Sequence, residues 1–156
     1  MIRRLISIVA PFAAGATAAA AEPRPPVQHY GPPVVPGQPP LPFSSAVRAG
    51  DILYLSGQIG VGADGRLPEG IEAQTRLAME NIGAVLRSAG RGWDDVFHCT
   101  AMLDNMSDWP AFNRVYVTYF TAGRLPARSA LGADGLALGA LVEVECQAWA
   151  GARPAR

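Results

Sequence analysis

This chain of 156 residues contains no lysine; its thirteen basic side chains are all arginine. No lysine amine is therefore available to form a Schiff base with a carbonyl substrate. Histidine and cysteine are scarce too, two of each. Cys99 and Cys146 lack the Cys-x-x-Cys or Cys/His spacing of a zinc site, and with only His29 and His98 to add, the sequence offers no metal site. Thirteen acidic residues cancel the thirteen arginines. No electrostatic excess remains to gather nucleic acid or an anionic membrane surface. No P-loop, Gly-x-Ser-x-Gly or His-Glu-x-x-His motif occurs, which leaves nucleotide, serine-hydrolase and zinc-protease chemistry without a foothold. The length suits one domain and is too short for two.

What the chain has in excess is glycine and proline, 17 and 14 residues, against a joint share of about 12% in average proteins. Nine of the prolines fall between Pro23 and Pro42. Each removes a backbone donor and fixes its own φ, so residues 22–42 read as an extended, polyproline-like tether without a core of its own. Ahead of it stand Arg3 and Arg4, an apolar run from Leu5 to about Ala14, and small residues at Ala19 to Ala21. These are the three parts of a secretory signal peptide, and the run is too short and alanine-rich to span a bilayer. The expectation is cleavage near Ala21 and a periplasmic or secreted protein with no stable membrane span.

From residue 43 to about 152 the pattern becomes that of a domain. Two β-rich runs, SSAVRAG and DILYLSGQIGV, meet at an Ala49-Gly50-Asp51 turn and predict a hairpin. Ile71, Ala78, Ile82, Val85, Leu86 and Ala89 recur at helical spacing, with Gly90 placed to end the helix. Residues 95–103 form a strand pattern. A second helix follows, with Ser107 as its cap, Pro110 in its first turn and Phe112, Val115, Tyr116, Tyr119 and Phe120 as an aromatic stripe read as core or interface. A strand over 127–131 and a Gly-rich segment precede the last strand. There Val142, Val144, Cys146 and Ala148 alternate with Glu143, Glu145, Gln147 and Trp149, one face buried and one accessible. The resulting fold class is α+β, a two-layer sandwich of a mixed β-sheet with two helices on one face. The other sheet face needs water or another subunit. In this arrangement Cys99 and Cys146 read as small buried hydrophobes, and a bridge between them would need Cα atoms within about 7 Å. His98 reads as a hydrogen-bonded core or interface residue, and Trp93, Trp109 and Trp149 as packing or subunit-interface residues rather than stacking platforms.

Three spots could carry chemistry, one of them the carboxylates Glu143 and Glu145 of the last strand. Arg128, in Pro126-Ala127-Arg128-Ser129, starts a strand beside a Pro-fixed turn and can present its planar fork to a carboxylate. Gly57, in Ser56-Gly57-Gln58, lets a ligand approach the backbone. Taken together, PFSSAVRAGDILYLSGQIGV, IEAQTRLAMENIGAVLRSAGRGWDDV, FNRVYVTYF, LPARSA and GALVEVEC resemble, in order, the motifs of the Rid family, the YjgF-type reactive intermediate imine/enamine deaminases. The resemblance covers residues 42–150.

That resemblance implies a chorismate-mutase-like homotrimer with small-molecule clefts between neighbouring subunits. It implies hydrolysis of 2-imino or 2-enamino acids to the keto compound and ammonia, without metal or organic cofactor. It assigns Arg128 to the substrate carboxylate and Glu143 to the hydrolytic water. Ser56 and Gly57 become a cleft wall, with Asn113 and Tyr116 on the helix that lines or supports it. Phe43 and Ala130 are further cleft positions. At Phe43 many active members carry a tyrosine, and at Ala130 often Cys or Thr, while the segment after Ser129 is richer in glycine than is usual. These departures motivate the alternative of a noncatalytic trimer that binds small carboxylate or carbonyl ligands. A nuclease role, sometimes ascribed to relatives, conflicts with the balanced charge.

Overall fold

The structure is a computed structural model, and it describes residues 25–31 and 41–152. Residues 1–21, expected from the sequence to be a signal peptide, and most of the expected tether lie outside the described residues.

The apolar spacing that predicts the first helix forms α1, Ile71–Ser88, which buries Ala78, Met79, Ile82 and Leu86 completely. Thr75 can be buried among them because its hydroxyl donates to the Ile71 carbonyl at 2.7 Å. Gly90, at φ +69, ends the helix as expected. Its N–H reaches the Arg87 carbonyl and the Arg91 N–H that of Leu86, the pair of bonds that satisfies a helix C-terminus when the next residue turns left-handed.

The sheet runs β1 (Val27–Tyr30), β2 (Ala46–Ala49), β3 (Ile52–Leu55), β7 (Val142–Trp149), β5 (Val96–Leu103), β6 (Ala127–Gly132). A two-residue β4 (Gln58–Ile59) also pairs with β7. All neighbours are antiparallel except β5 and β6. The predicted hairpin is β2–β3, turning at Gly50 with φ +60.

Strand β1 departs from the expectation of a featureless tether. Residues 27–31 are the longest proline-free stretch between Pro23 and Pro42, so here the backbone keeps its longest run of consecutive donors, and it pairs with β2. The run Gly60–Gly65 has the Gly-x-Gly-x-x-Gly spacing of a dinucleotide site. The structure excludes that role: the run folds back on itself, the Gly62 N–H bonding the Arg66 carbonyl, and α1 begins only at Ile71.

The second helix is shorter than its aromatic stripe. Helix α2 covers Trp109–Tyr116, flanked by 3₁₀ turns at Met106–Asp108 and Val117–Tyr119. Ser107 is not its cap. Asn105 opens the leading turn instead, its Oδ1 accepting from the Ser107 N–H at 3.0 Å, because the turn starts two residues earlier than the stripe suggests.

Both helices cover one sheet face, on which Cys99, Ala101, Leu103, Val142, Val144, Cys146 and Ala148 are buried. The two-layer α+β arrangement is as read from the sequence. One expectation fails on this face: Cys99 and Cys146 are disulfide-bonded rather than free. They lie directly opposite one another across β5 and β7, with Cα atoms 4.1 Å apart. Only the strand register could reveal that pairing.

Candidate active site

The strand that continues β3 into β4 carries an irregularity. Tyr54 pairs with Gln147 and Gln58 with Val144, so three residues on one side face two on the other. This is a β-bulge at residues 55–57, a device that re-aims side chains and recurs beside active sites. Asn81 of α1 fixes the far side, its amide donating to the carbonyls of Ile59 and Val61 at 3.0 and 3.1 Å. On the near side Ser56 donates its hydroxyl to the Ser44 carbonyl at 2.7 Å and its N–H to the Ser45 carbonyl at 3.0 Å. Ser56 thus ties the segment holding Phe43, half of whose surface is exposed (49%), to the bulge.

Gly57 is required here for space. A Cβ on it would overlap Glu143 Oε1 and stand 2.8 Å from Cδ and 3.0 Å from Cγ. The carboxylate of Glu143 therefore rests against bare backbone. It is half-buried, and that burial, followed by the charge of Glu145, pushes its carboxyl above the ordinary range. A carboxyl so placed can exchange a proton nearer neutrality than a free one.

Arg128 lies elsewhere, on edge strand β6. Trp109, Phe112 and Tyr116 recur at three and four along α2, and their rings stand 4.4, 5.5 and 4.6 Å from the guanidinium carbon. Neighbouring rings are inclined by only 25° and 31°, so they form one continuous wall. Among the described residues no carboxylate pairs with Arg128 and no acceptor takes its N–H groups. A cation held by π faces with its donors free is poised for an anionic ligand.

Among the described residues, two side-chain atoms of α2, Asn113 Oδ1 and Tyr116 Oη, are buried without a hydrogen-bond partner. Burial pushes the Tyr116 hydroxyl up to about 12 against the opposing charge of Arg128, so it stays a neutral phenol. Ala130, in register with Ala101, shares the face of Arg128 and adds no polar group.

The expected residues thus form two groups. Arg128 is in register with buried Cys99 and faces the helices, whereas Glu143 alternates with buried Val142 and Val144 and faces the opposite side. Met102, opposite Glu143, is three residues along β5 from Cys99. At the usual strand rise and spacing, the Cα atoms of Arg128 and Glu143 are about 14 Å apart. One chain does not bring them together.

Sequence reasoning missed Trp109 and Phe112 as the seat of Arg128. Their spacing with Tyr116 was the available signal, but it read only as packing. Trp93 is packing, its ring 5.1 and 5.4 Å from those of Tyr119 and Phe120. His98 sits half-buried in β5 in register with Gln147, away from both groups' described contacts. Among the described residues no cluster of His, Cys, Asp and Glu could hold a metal ion, and no helix is long and apolar enough to cross a membrane.

Comparison with known proteins adds the following. The family model described as Endoribonuclease L-PSP matches residues 37–150. A mouse protein named 2-iminobutanoate/2-iminopropanoate deaminase is 38% identical over 106 residues, 67% of this chain and 78% of that protein. A RutC family protein of Synechocystis is 36% identical over 110 residues, 69% of this chain and 85% of that protein. Among solved structures, the Rid family protein YyfA of Yersinia pestis superposes with a TM-score of 0.68 at 38% identity, covering 76% of this chain and 92% of that one. RidA of an Antarctic Psychrobacter gives 0.67 at 32% identity, covering 79% and 97%.

Proposed function

This chain belongs to the Rid family, whose model is described as Endoribonuclease L-PSP, and from that premise we propose that it hydrolyses 2-imino acids, or their enamine tautomers, to the 2-oxo acid and ammonia. The observation that carries this reading is Arg128, an arginine seated on an aromatic wall with no hydrogen-bond or ion-pair partner among the described residues. The deaminase named among its relatives acts on 2-iminobutanoate and 2-iminopropanoate, which present a carboxylate for such a clamp.

In the proposed reaction Arg128 fixes the carboxylate and so places C2. Water bonds to C2 while its proton passes to the Glu143 carboxylate. That proton is passed to the imine nitrogen, giving the carbinolamine; the carboxylate then takes the hydroxyl proton and delivers it to the same nitrogen as the C–N bond breaks, so that the oxo group forms and ammonia leaves. The raised carboxyl of Glu143 suits both transfers. No step requires a lysine, metal or organic cofactor.

Because Arg128 and Glu143 face opposite sides of one sheet, the complete site is a cleft between two copies, Arg128 from one and Glu143 from the next. A closed trimer repeats that cleft three times and covers the open sheet face. We place the protein outside the cytoplasm: the signal-like start and the Cys99–Cys146 disulfide suit an oxidising compartment. Fractionation finding full-length chain in the cytoplasm refutes that placement.

The activity is tested by following an imino acid released in situ by an amino-acid oxidase, with and without protein. Faster decay with the parent, and loss of the gain in Arg128→Ala and in Glu143→Gln, is the expected result. Coexpressing the two variants in equal amounts leaves about a quarter of trimer clefts with both residues intact if the site is shared. Recovery of that share supports the shared cleft, and no recovery overturns it. Saturable binding of 2-oxo acids without turnover would favour the noncatalytic alternative. Cleavage of RNA would favour the nuclease named in the family's description, for which thirteen arginines against thirteen acids supply no phosphate-binding excess.

A further inference from the structure

We infer that Trp109 is a positioning residue for this reaction, holding the Arg128 guanidinium flat against α2 so that its N–H edge meets the substrate carboxylate; the inference rests on the clamp reading of Arg128. Arginine side chains have many rotamers, and a free one at an edge strand would sample them. Arg128 has no ion pair or hydrogen bond among the described residues to restrict it. What it has is three rings, and the nearest is Trp109, 4.4 Å away.

The three rings are not equivalent. Phe112 is fully buried and Tyr116 nearly so (3% exposed), and both pack into the hydrophobic core, so their main work is to hold the fold. Trp109 is half-buried at the first position of α2, with Pro110 next to it fixing the backbone. It stacks on Phe112, with ring centroids 5.8 Å apart. Indole is also the ring that attracts a cation most strongly. A guanidinium over such a face keeps its in-plane donors clear, the geometry a bidentate carboxylate needs.

The test compares Trp109→Leu, Trp109→Phe and Arg128→Ala with the parent, each checked for thermal stability. The readouts are kcat and KM for the imino acid and the dissociation constant of 2-oxobutanoate as a nonreactive carboxylate probe. In Trp109→Leu, KM and the probe's dissociation constant are expected to rise roughly three- to thirtyfold with a smaller change in kcat, the range of cation–π contributions. Trp109→Phe is expected to recover most of the loss. Side-chain proton resonances of Arg128 should be ring-shifted upfield in the parent and relax toward free values in Trp109→Leu. If Arg128→Ala weakens the probe and Trp109→Leu does not, the positioning role is overturned while the clamp stands. If Arg128→Ala leaves both KM and probe binding unchanged, the clamp itself falls and the inference with it. A Trp109→Leu protein that loses stability but binds the probe normally also overturns it.

Discussion

Gly57→Ala is expected to abolish most activity while leaving the fold intact. The added methyl would stand 2.8 Å from Glu143 Cδ and overlap Oε1. Carbon atoms rest at about 3.5–4.0 Å, so the carboxylate must retreat by about 1 Å. Glu143 is only half-buried and the atoms in the way are the far end of a flexible side chain, which can swing aside at little cost in stability. For catalysis the same 1 Å matters, since displacement of a reacting group by that distance costs on the order of a hundredfold in rate. Gly60 supplies the control. A Cβ there would overlap the Gln74 carbonyl oxygen and stand 2.7 Å from its Cα, which is helix backbone and cannot swing aside. Gly60→Ala should therefore destabilise by about 1–3 kcal/mol, the usual range for overpacking. The assay is kcat for imino-acid hydrolysis, with melting temperatures of both variants beside the parent. A Gly57→Ala protein that melts like the parent and turns over at its rate would refute the placing of Glu143 at the reacting centre.

Other outcomes follow from the same structure. The Cys99–Cys146 bridge closes a loop with a sequence separation of 47, and constraining the unfolded chain at that length stabilises by about 4 kcal/mol. Denaturation curves with and without reductant should separate accordingly, and coincident curves would show that the bridge contributes nothing. The carboxyl of Glu143 is raised in the folded state, so the unfolded chain ionises first as pH rises from the ordinary value of 4.5. Its stability penalty is absent at lower pH and grows to its full size as pH passes the folded value. Glu143→Gln should match the parent in acid and melt higher at neutral pH, and a pH-independent difference would contradict the assignment. Tyr116 behaves likewise at the alkaline end: stability should begin to fall above pH 10 and go on falling to about 12, less so in Tyr116→Phe.

Helix α1 was legible because its apolar spacing and Gly90 agree, and β7 because its alternation is unbroken over eight residues. That alternation also places Glu143 on the open face. Arg128 could not be placed in the same way. Strand β6 is short and mostly exposed, and its face depends on the register with β5, a nonlocal quantity. The disulfide was hidden for the same reason. Strand β1 was hidden by its setting among prolines, although the gap between Pro26 and Pro32 was visible. The bulge left one trace, a glycine inside a strand pattern. Why that residue must be glycine emerged only when Glu143 was found against it.

The bond between Cys99 and Cys146 has a topological consequence. Together with the backbone from 99 to 146 it makes a covalent ring, and Trp109, Asn113, Tyr116, Arg128, Ala130 and Glu143 are all beads on it. Phe43, Ser56 and Gly57 hang from a tail outside. A protease that nicks the Gly-rich segment after β6 opens the ring but frees no fragment. The nicked protein should migrate as one species without reductant and as two with it, and the residues proposed for binding and catalysis stay physically linked after the cut.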